Sequence, residues 1–438
     1  MNFTYRQIWL INYPVMMSVL MEQLINITDA VFLGHVGELE LGAAAIAGMY
    51  YMAVYMLGFG FSLGLQVVIA RRNGEKKYLD TGKVFFQGLY FLLLLAVVLY
   101  VFSRISTPLI LNFLLHFPEV NQAVMQYLDW RMPGLFFSFP ALALRAYFVG
   151  ITKTKVLSYN AIVLIGTNLM MNYLLIFGHG GIPALGISGA AMASSLAEGV
   201  SLCVLVIYAG LKIGKPGLGV QAVMDRGILS QVCRLSVWSM MQAFLCVAPW
   251  FLFFIAIEHL GKEQLAIANT IRSISMIFFV IVHSFALTTG SLVSNLIGAG
   301  EKSEVMPVCR KIMTLSYGTG IPLLILVGVM YPFVAGIYTT NAGMIEQAFP
   351  PFLVMLSNYF LAVPAYVCTN AVTGCGNTRF MFWIQVITVI VYLFYLWLIS
   401  ELWQVPLAVY WTAEHLYVLL LLIFALVFLR QGKWLKQV

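Results

Sequence analysis

The sequence predicts an all-α polytopic membrane protein, with twelve transmembrane helices in two six-helix bundles related by a pseudo-two-fold axis along the membrane normal. Composition, the length of the apolar runs and an internal repeat carry that reading. Of the 438 residues, 61% are hydrophobic and only 9% are charged. Soluble domains run at roughly 45–50% apolar and about 25% charged, so a water-soluble fold of this size would lack the charge to cover its surface. Soluble enzymes, nucleic-acid binders and secreted disulfide scaffolds are thereby disfavoured. The net charge of +7 is no nucleic-acid signal, because the Lys and Arg residues fall mostly in short gaps between apolar runs. The six cysteines show no CxxC spacing and hence no disulfide or metal framework.

A bilayer core requires about 20 apolar residues per helix. That length selects twelve segments: 8–33, 41–70, 84–105, 126–149, 156–178, 186–211, 233–258, 265–297, 311–337, 346–372, 380–400 and 405–430. The first is no cleaved signal peptide, since it is long, contains Pro14, Glu22 and Asp29, and lacks a small-residue cleavage site. Eighteen basic residues fall on one side, among them Arg6, Arg71, Arg72, Lys76, Lys77, Lys153, Lys215, Lys302, Arg379, Lys433 and Lys436. The opposite side holds Lys262, with Arg104 and Arg131 at helix ends. The positive-inside rule then places both termini in the cytoplasm.

Residues 35–46 align with 259–270 at an offset of 224, and 135–155 align with 359–379 at the same offset. Gly74-Glu75-Lys76 meets Gly300-Glu301-Lys302 after a two-residue slip. Each half carries six spans, so both enter the membrane with the same polarity, as in a parallel repeat with a path between two bundles. The expected division is 1–210 for a first bundle holding a cation site, 211–232 for a cytoplasmic linker and 233–438 for a second bundle.

Ionisable side chains inside a bilayer are costly and point to function. Glu22 and Asp29 lie two turns apart on one face of the first span, about 10 Å from each other. Asn168 and Asn172, and likewise Ser194 and Glu198, are i,i+4 pairs on the fifth and sixth spans. Measured from the outer helix ends, Asp29 and Asn172 lie roughly 8–9 Å deep, Ser194 and Asn168 roughly 12–15 Å, and Glu22 and Glu198 about 18 Å. Such hard oxygens suit a small cation, a proton or sodium. Asn and Ser also hydrogen-bond across membrane helices simply as packing contacts, whereas a lone carboxylate such as Asp29 is poor glue. The repeat offset maps Asp29 onto Phe253 and Glu22 onto Cys246, confining this polar set to one half. Arg131 reads as an outer cap on the fourth span, and Arg145 as a residue that snorkels inward. Tyr50, Tyr55 and Met56 on the second span and Met240 on the seventh are candidates to line a cavity for a flat cation, with core packing as the alternative.

At these residues the chain resembles the multidrug and toxic compound extrusion (MATE) transporters. TDAVFLGHVGELELGAAAIA is similar to that family's Asp-containing first helix and the loop after it. GTNLMMNYLLIFGHGGIPALGISGAAMASSLAE resembles its fifth-to-sixth helix hairpin, while VSNLIGAGEK and AVTGCGNTR resemble its second-half loops. ASSLAE and YLDWR are most similar to the DinF-like branch. The resemblance implies that Asp29 is the coupling-cation residue and that Pro14 is a bending point in the first helix. It places the family's Asn-x-x-x-Asp pair on Asn168 and Asn172, with an amide in the second position, and a threonine ligand on Ser194. A sodium ion would be held by those four residues. A seventh-helix glutamate of some branches falls near Gln242, which joins the cavity set.

The expected function is export of amphipathic or cationic small molecules against protons or sodium by alternating access, with Asp29, Asn168, Asn172, Ser194, Glu198 and Glu22 coupling the cation. A flippase for lipid-linked sugars is the alternative and needs a cavity lined by several arginines. An intramembrane enzyme is disfavoured because no HExxH, GxSxG or paired-aspartate motif occurs in suitable context. No cofactor beyond the coupling H+ or Na+ is expected, and the partners are the lipid bilayer and a small-molecule substrate. No nucleic acid is expected, and the chain would act as a monomer in a bacterial inner membrane.

Overall fold

The computed structural model describes residues 3–114, 117–181, 183–212, 225–258, 260–336, 342–402 and 405–432. The middle of the expected linker, 213–224, lies outside them, as do Lys215, Lys433 and Lys436. The first half contains α1 (Tyr5–Gly34), α2 (Glu38–Gly74), α3 (Tyr78–Leu114), α4 (Pro118–Arg131), α5 (Leu135–Gly150), α6 (Lys155–Phe177) and α7 (Gly186–Lys212). The second contains α8 (Arg226–Leu245), α9 (Val247–Glu258), α10 (Lys262–Gly298), α11 (Val305–Val329), α12 (Tyr331–Gly336), α13 (Ala342–Gly374), α14 (Thr378–Trp397), α15 (Leu407–Tyr410) and α16 (Thr412–Gln431). Among the described residues there is no strand, and all twelve predicted spans are present as helices long and apolar enough to cross a membrane. This is a multi-pass membrane protein.

Two spans depart from the expected outline. The fourth begins at Pro118 rather than near 126, with Pro at the first helical position, where its missing N–H costs nothing. Arg131 therefore lies inside the span, about 20 Å from its start at 1.5 Å per residue, and is no outer cap. A 3-10 turn, Met132–Gly134, joins α4 to α5 at Pro133, which cannot donate to the helical ladder. The seventh span is likewise interrupted, by a turn at Cys246 between α8 and α9.

Two compact units emerge, and their boundaries differ from the expected division. One is Met17–Phe244; the other joins the residues up to Met16 to those from Leu245 onward. The first turns of α1 belong to the second unit for a polar reason. Buried Asn12 donates to Ser284 Oγ (3.4 Å) and accepts from Thr288 Oγ1 (2.8 Å), both on α10. Lys311 also donates to the Phe3 carbonyl at 3.0 Å. α8 belongs to the first unit because two glycines of α2 admit its backbone. A Cβ at Gly60 would fall 2.6 Å from Met240 Cα, and one at Gly64 would overlap Ser236. Pro14, buried within α1, sits two residues before the point where that helix changes units.

The repeat is written in the turns. α2 and α10 start at 38 and 262 and end at 74 and 298; α5 and α13 end at 150 and 374. After each end a residue enters the left-handed region: Lys76 (φ 59°) and Gly300 (φ 78°), then Thr152 (φ 59°) and Gly376 (φ 87°). Lys77 N–H reaches the Arg72 carbonyl at 3.0 Å as Glu301 N–H reaches that of Leu296 at 2.9 Å, the six-to-one bond of a Schellman ending. All four residues keep the offset of 224, so the backbone carries no two-residue slip at Gly74-Glu75-Lys76.

Candidate functional site

The α6–α7 hairpin is the scaffold of the site. Gly178 closes α6 in a left-handed conformation (φ 77°), and Gly189 lets α7 approach so closely that a Cβ would lie 2.6 Å from the Leu175 carbonyl oxygen. A deeper pair, Asn160 Nδ2 to Ser201 Oγ at 2.8 Å, locks the two helices. Between these clamps Asn168 Nδ2 donates to Ser194 Oγ at 3.1 Å.

Asp29, on the last turns of α1, completes the arrangement. Asn172 Nδ2 donates to its Oδ1 at 2.6 Å and to Asn168 Oδ1 at 3.1 Å. Ser194 Oγ donates to Oδ2 of Asp29 at 2.8 Å. The four side chains thus form a closed ring of hydrogen bonds from three helices. Asn168 and Asn172 are fully buried, Ser194 nearly so, and Asp29 remains partly exposed. Asn172 Oδ1 is buried without a hydrogen-bond partner. A carboxylate with spare lone pairs, together with amide and hydroxyl oxygens, is a donor set that could hold a hard monovalent cation. Among the described residues no basic side chain forms an ion pair with Asp29.

Glu198 and Glu22 are not part of this ring. Glu198 receives both arms of Arg131, Nη2 to Oε1 at 2.6 Å and Nη1 to Oε2 at 3.0 Å. Glu22 is bound by Arg145, whose other arm donates to Ser18 Oγ at 3.0 Å. Arg145 accordingly does not snorkel inward; a carboxylate within the unit holds it. Arg104 and Asp129 form a third such pair.

The aromatic residues divide similarly. Tyr50 donates to Ser103 Oγ at 3.1 Å and ties α2 to α3. Tyr51 and Tyr55 stack with centroids 6.1 Å apart, and the Arg131 guanidinium lies 3.8 Å from the Tyr51 ring centre. Tyr55 interacts with Arg145, so it belongs to the charged cluster. Met56, Met240 and Gln242 are partly exposed on α2 and α8.

Sequence reasoning missed polar residues whose partners are remote in the chain. Asn12 with Ser284 and Thr288 is one case, separated by 272 and 276 positions. In the second unit Glu414, which reads as a helix-end residue, accepts from the Tyr392 hydroxyl at 2.8 Å. Its neighbour His415 bonds Ser357 Oγ at 2.8 Å. The local signal for the first case is a polar Asn12 within an apolar run.

The comparisons with known proteins agree with this architecture. The MatE family model matches residues 14–174 and again 239–398, repeating at 225 and 224 positions. A probable multidrug resistance protein NorM of Rhizobium meliloti is 29% identical over 201 residues, covering 46% of this chain and 41% of that protein. The aligned stretch thus spans about two fifths of that relative. A probable multidrug resistance protein NorM of Shewanella oneidensis is 22% identical over 85% of this chain and 81% of its own length. A solved MOP superfamily transporter from Pyrococcus furiosus shares the fold, with TM-score 0.88 and 16% identity over 98% of this chain and 95% of that one.

Proposed function

Since the chain belongs to the MatE family of membrane transporters, we propose that it exports amphipathic or cationic small molecules in exchange for a proton or a sodium ion bound at Asp29. The observation that carries this reading is the ring itself: a carboxylate held by two neutral donors, with a buried amide oxygen of Asn172 left unsatisfied and no ion-paired basic side chain among the described residues. An empty ring carries one negative charge, and a loaded one carries none. Charge in a membrane-spanning helix is expensive, so loading changes which packing of α1 is favoured. Export follows if the loaded form and the substrate-bound form prefer opposite states, because only differential affinity couples two ligands. Relatives named as multidrug resistance proteins support the substrate class. The protein then acts as a monomer in the bacterial inner membrane with both termini cytoplasmic and no cofactor. The flippase alternative is disfavoured, because Arg131 and Arg145 are each held by a glutamate rather than left open for pyrophosphate.

The test uses purified protein in proteoliposomes, ethidium as the exported probe, and proton and sodium gradients imposed separately. Asp29→Asn keeps both neutral donors near an isosteric group and is expected to fold. Its cation-driven export should fall by at least about 100-fold, the scale of a lost charged interaction. Export at the wild-type rate by Asp29→Asn would refute the proposal.

A further inference from the structure

The ion pairs of the first unit bear on that site in a way its own geometry does not. Ser194 and Glu198 stand on the same face of α7, one turn apart, or about 6 Å along the axis. Ser194 touches Asp29, and Glu198 holds Arg131. The Arg131 guanidinium is therefore held near the Asp29 carboxyl, within electrostatic reach of it but bonded to Glu198 instead. Tyr127, one turn before Arg131 on α4, lies within electrostatic reach of Arg131, Asp29 and Glu198 alike. An arginine is a permanent cation with a long, jointed arm. Released from Glu198, it could neutralise Asp29 from within, and an internal guanidinium competes directly with any cation from solution.

The surroundings of the pair are built to prevent this release. The Tyr51 ring lies against the guanidinium, and its hydroxyl is 3.5 Å from Glu198 Oε1. Ser195 donates to the Trp130 carbonyl at 2.9 Å, fixing α7 against the last turn of α4. Gly134 leaves the room the pair occupies: a Cβ there would lie 2.8 Å from Arg131 Nη1 and 3.0 Å from Glu198 Oε2. The remaining charges of the cluster cancel, Glu22 against Arg145, with Tyr55 within electrostatic reach of Glu22, Arg145 and Glu198. Glu22 and Glu198, the other carboxylates deep in this unit, thus each meet an arginine, whereas among the described residues Asp29 forms no ion pair.

We propose that Glu198 is a positioning residue that sequesters Arg131 from Asp29, keeping the Asp29 ring open to an external monovalent cation. This rests on the reading of Asp29 as the cation site. Two consequences separate it from a merely structural pair. Glu198→Gln frees the guanidinium without touching Asp29, so coupling is lost. Removing both partners in Arg131→Gln/Glu198→Gln takes away the competitor together with its guard, so coupling returns.

The experiment is ethidium export by reconstituted full-length protein, with the apparent affinity for the driving proton or sodium ion as the readout. Folding of each variant is checked by a monodisperse detergent-solubilised peak. Glu198→Gln is expected to lose cation affinity by about tenfold or more, the effect of one unscreened charge at this separation. The double variant is expected within about threefold of wild type, as for a pair whose two charges cancel. If Glu198→Gln does not fold, the double variant decides alone: retained coupling supports the assignment, and lost coupling overturns it. Wild-type affinity in Glu198→Gln, or a double variant no better than the single, also overturns it. Wild-type protein without any cation-driven export would instead bring down the Asp29 reading, and this inference with it.

Discussion

Asn172 donates to Asp29 at 2.6 Å while its own carbonyl oxygen, fully buried, has no partner. One amide thus steadies the carboxylate and at the same time leaves an acceptor unused. Buried polar atoms without partners cost on the order of 1–3 kcal/mol, so the ring is held at a penalty of that size. The same residue explains why a neutral side chain is compatible with this position. The donor it offers is one that a carboxylate could not supply.

Asn172→Asp replaces that donor with a second carboxylate against Asp29. Two carboxylates in contact cannot both stay ionised unless a cation lies between them. The concentration of driving cation needed for half-maximal ethidium export should therefore fall about tenfold or more. An unchanged or higher requirement would show that the ring does not bind the coupling ion.

Thr152 and Lys76 occupy left-handed backbone where the second half of the chain has Gly376 and Gly300. A side chain in that region costs about 1 kcal/mol, and more when it is β-branched. Thr152→Gly and Lys76→Gly should each raise stability by roughly 0.5–1 kcal/mol despite the entropy glycine adds to the unfolded chain. Thermal unfolding in detergent would register this as a higher midpoint. A lower midpoint would mean that the Thr152 or Lys76 side chain contributes more than its backbone strain costs.

Gly64 meets Ser236 where α8 crosses α2, whereas Gly166 on α6 faces open space. Gly64→Val must push two backbones apart and should cost about 2–3 kcal/mol. Gly166→Ala should stabilise by about 0.5–1 kcal/mol, the ordinary helix-propensity gain. Opposite shifts in the unfolding midpoint are the expected pattern. Equal shifts would argue that α8 does not pack on α2 as described.

Much of this molecule was legible before any coordinates. The twelve spans followed from hydrophobic run length alone, because bilayer thickness imposes a ruler that needs no tertiary information. The offset of 224 followed too, since Gly150 and Gly374 terminate equivalent helices in both halves. The i,i+4 pairs Asn168 with Asn172 and Ser194 with Glu198 announced shared faces for the same local reason.

Partner choice was not legible. Asp29, Glu22 and Glu198 are all carboxylates at plausible depths, and nothing local distinguishes them. Only the packing of α4 and α5 against α1 and α7 shows that two of them meet arginines and the third meets amides and a hydroxyl. The helical start at Pro118 places Arg131, the last residue of α4, inside the span rather than at its outer end, where it pairs with Glu198. The sequence by itself determined how many spans there are, approximately where they lie and which faces are polar, because those properties depend on neighbours within a few residues. Tertiary structure alone decided which charge is cancelled and which is left open, because Coulomb energy depends on separations that chain order does not encode.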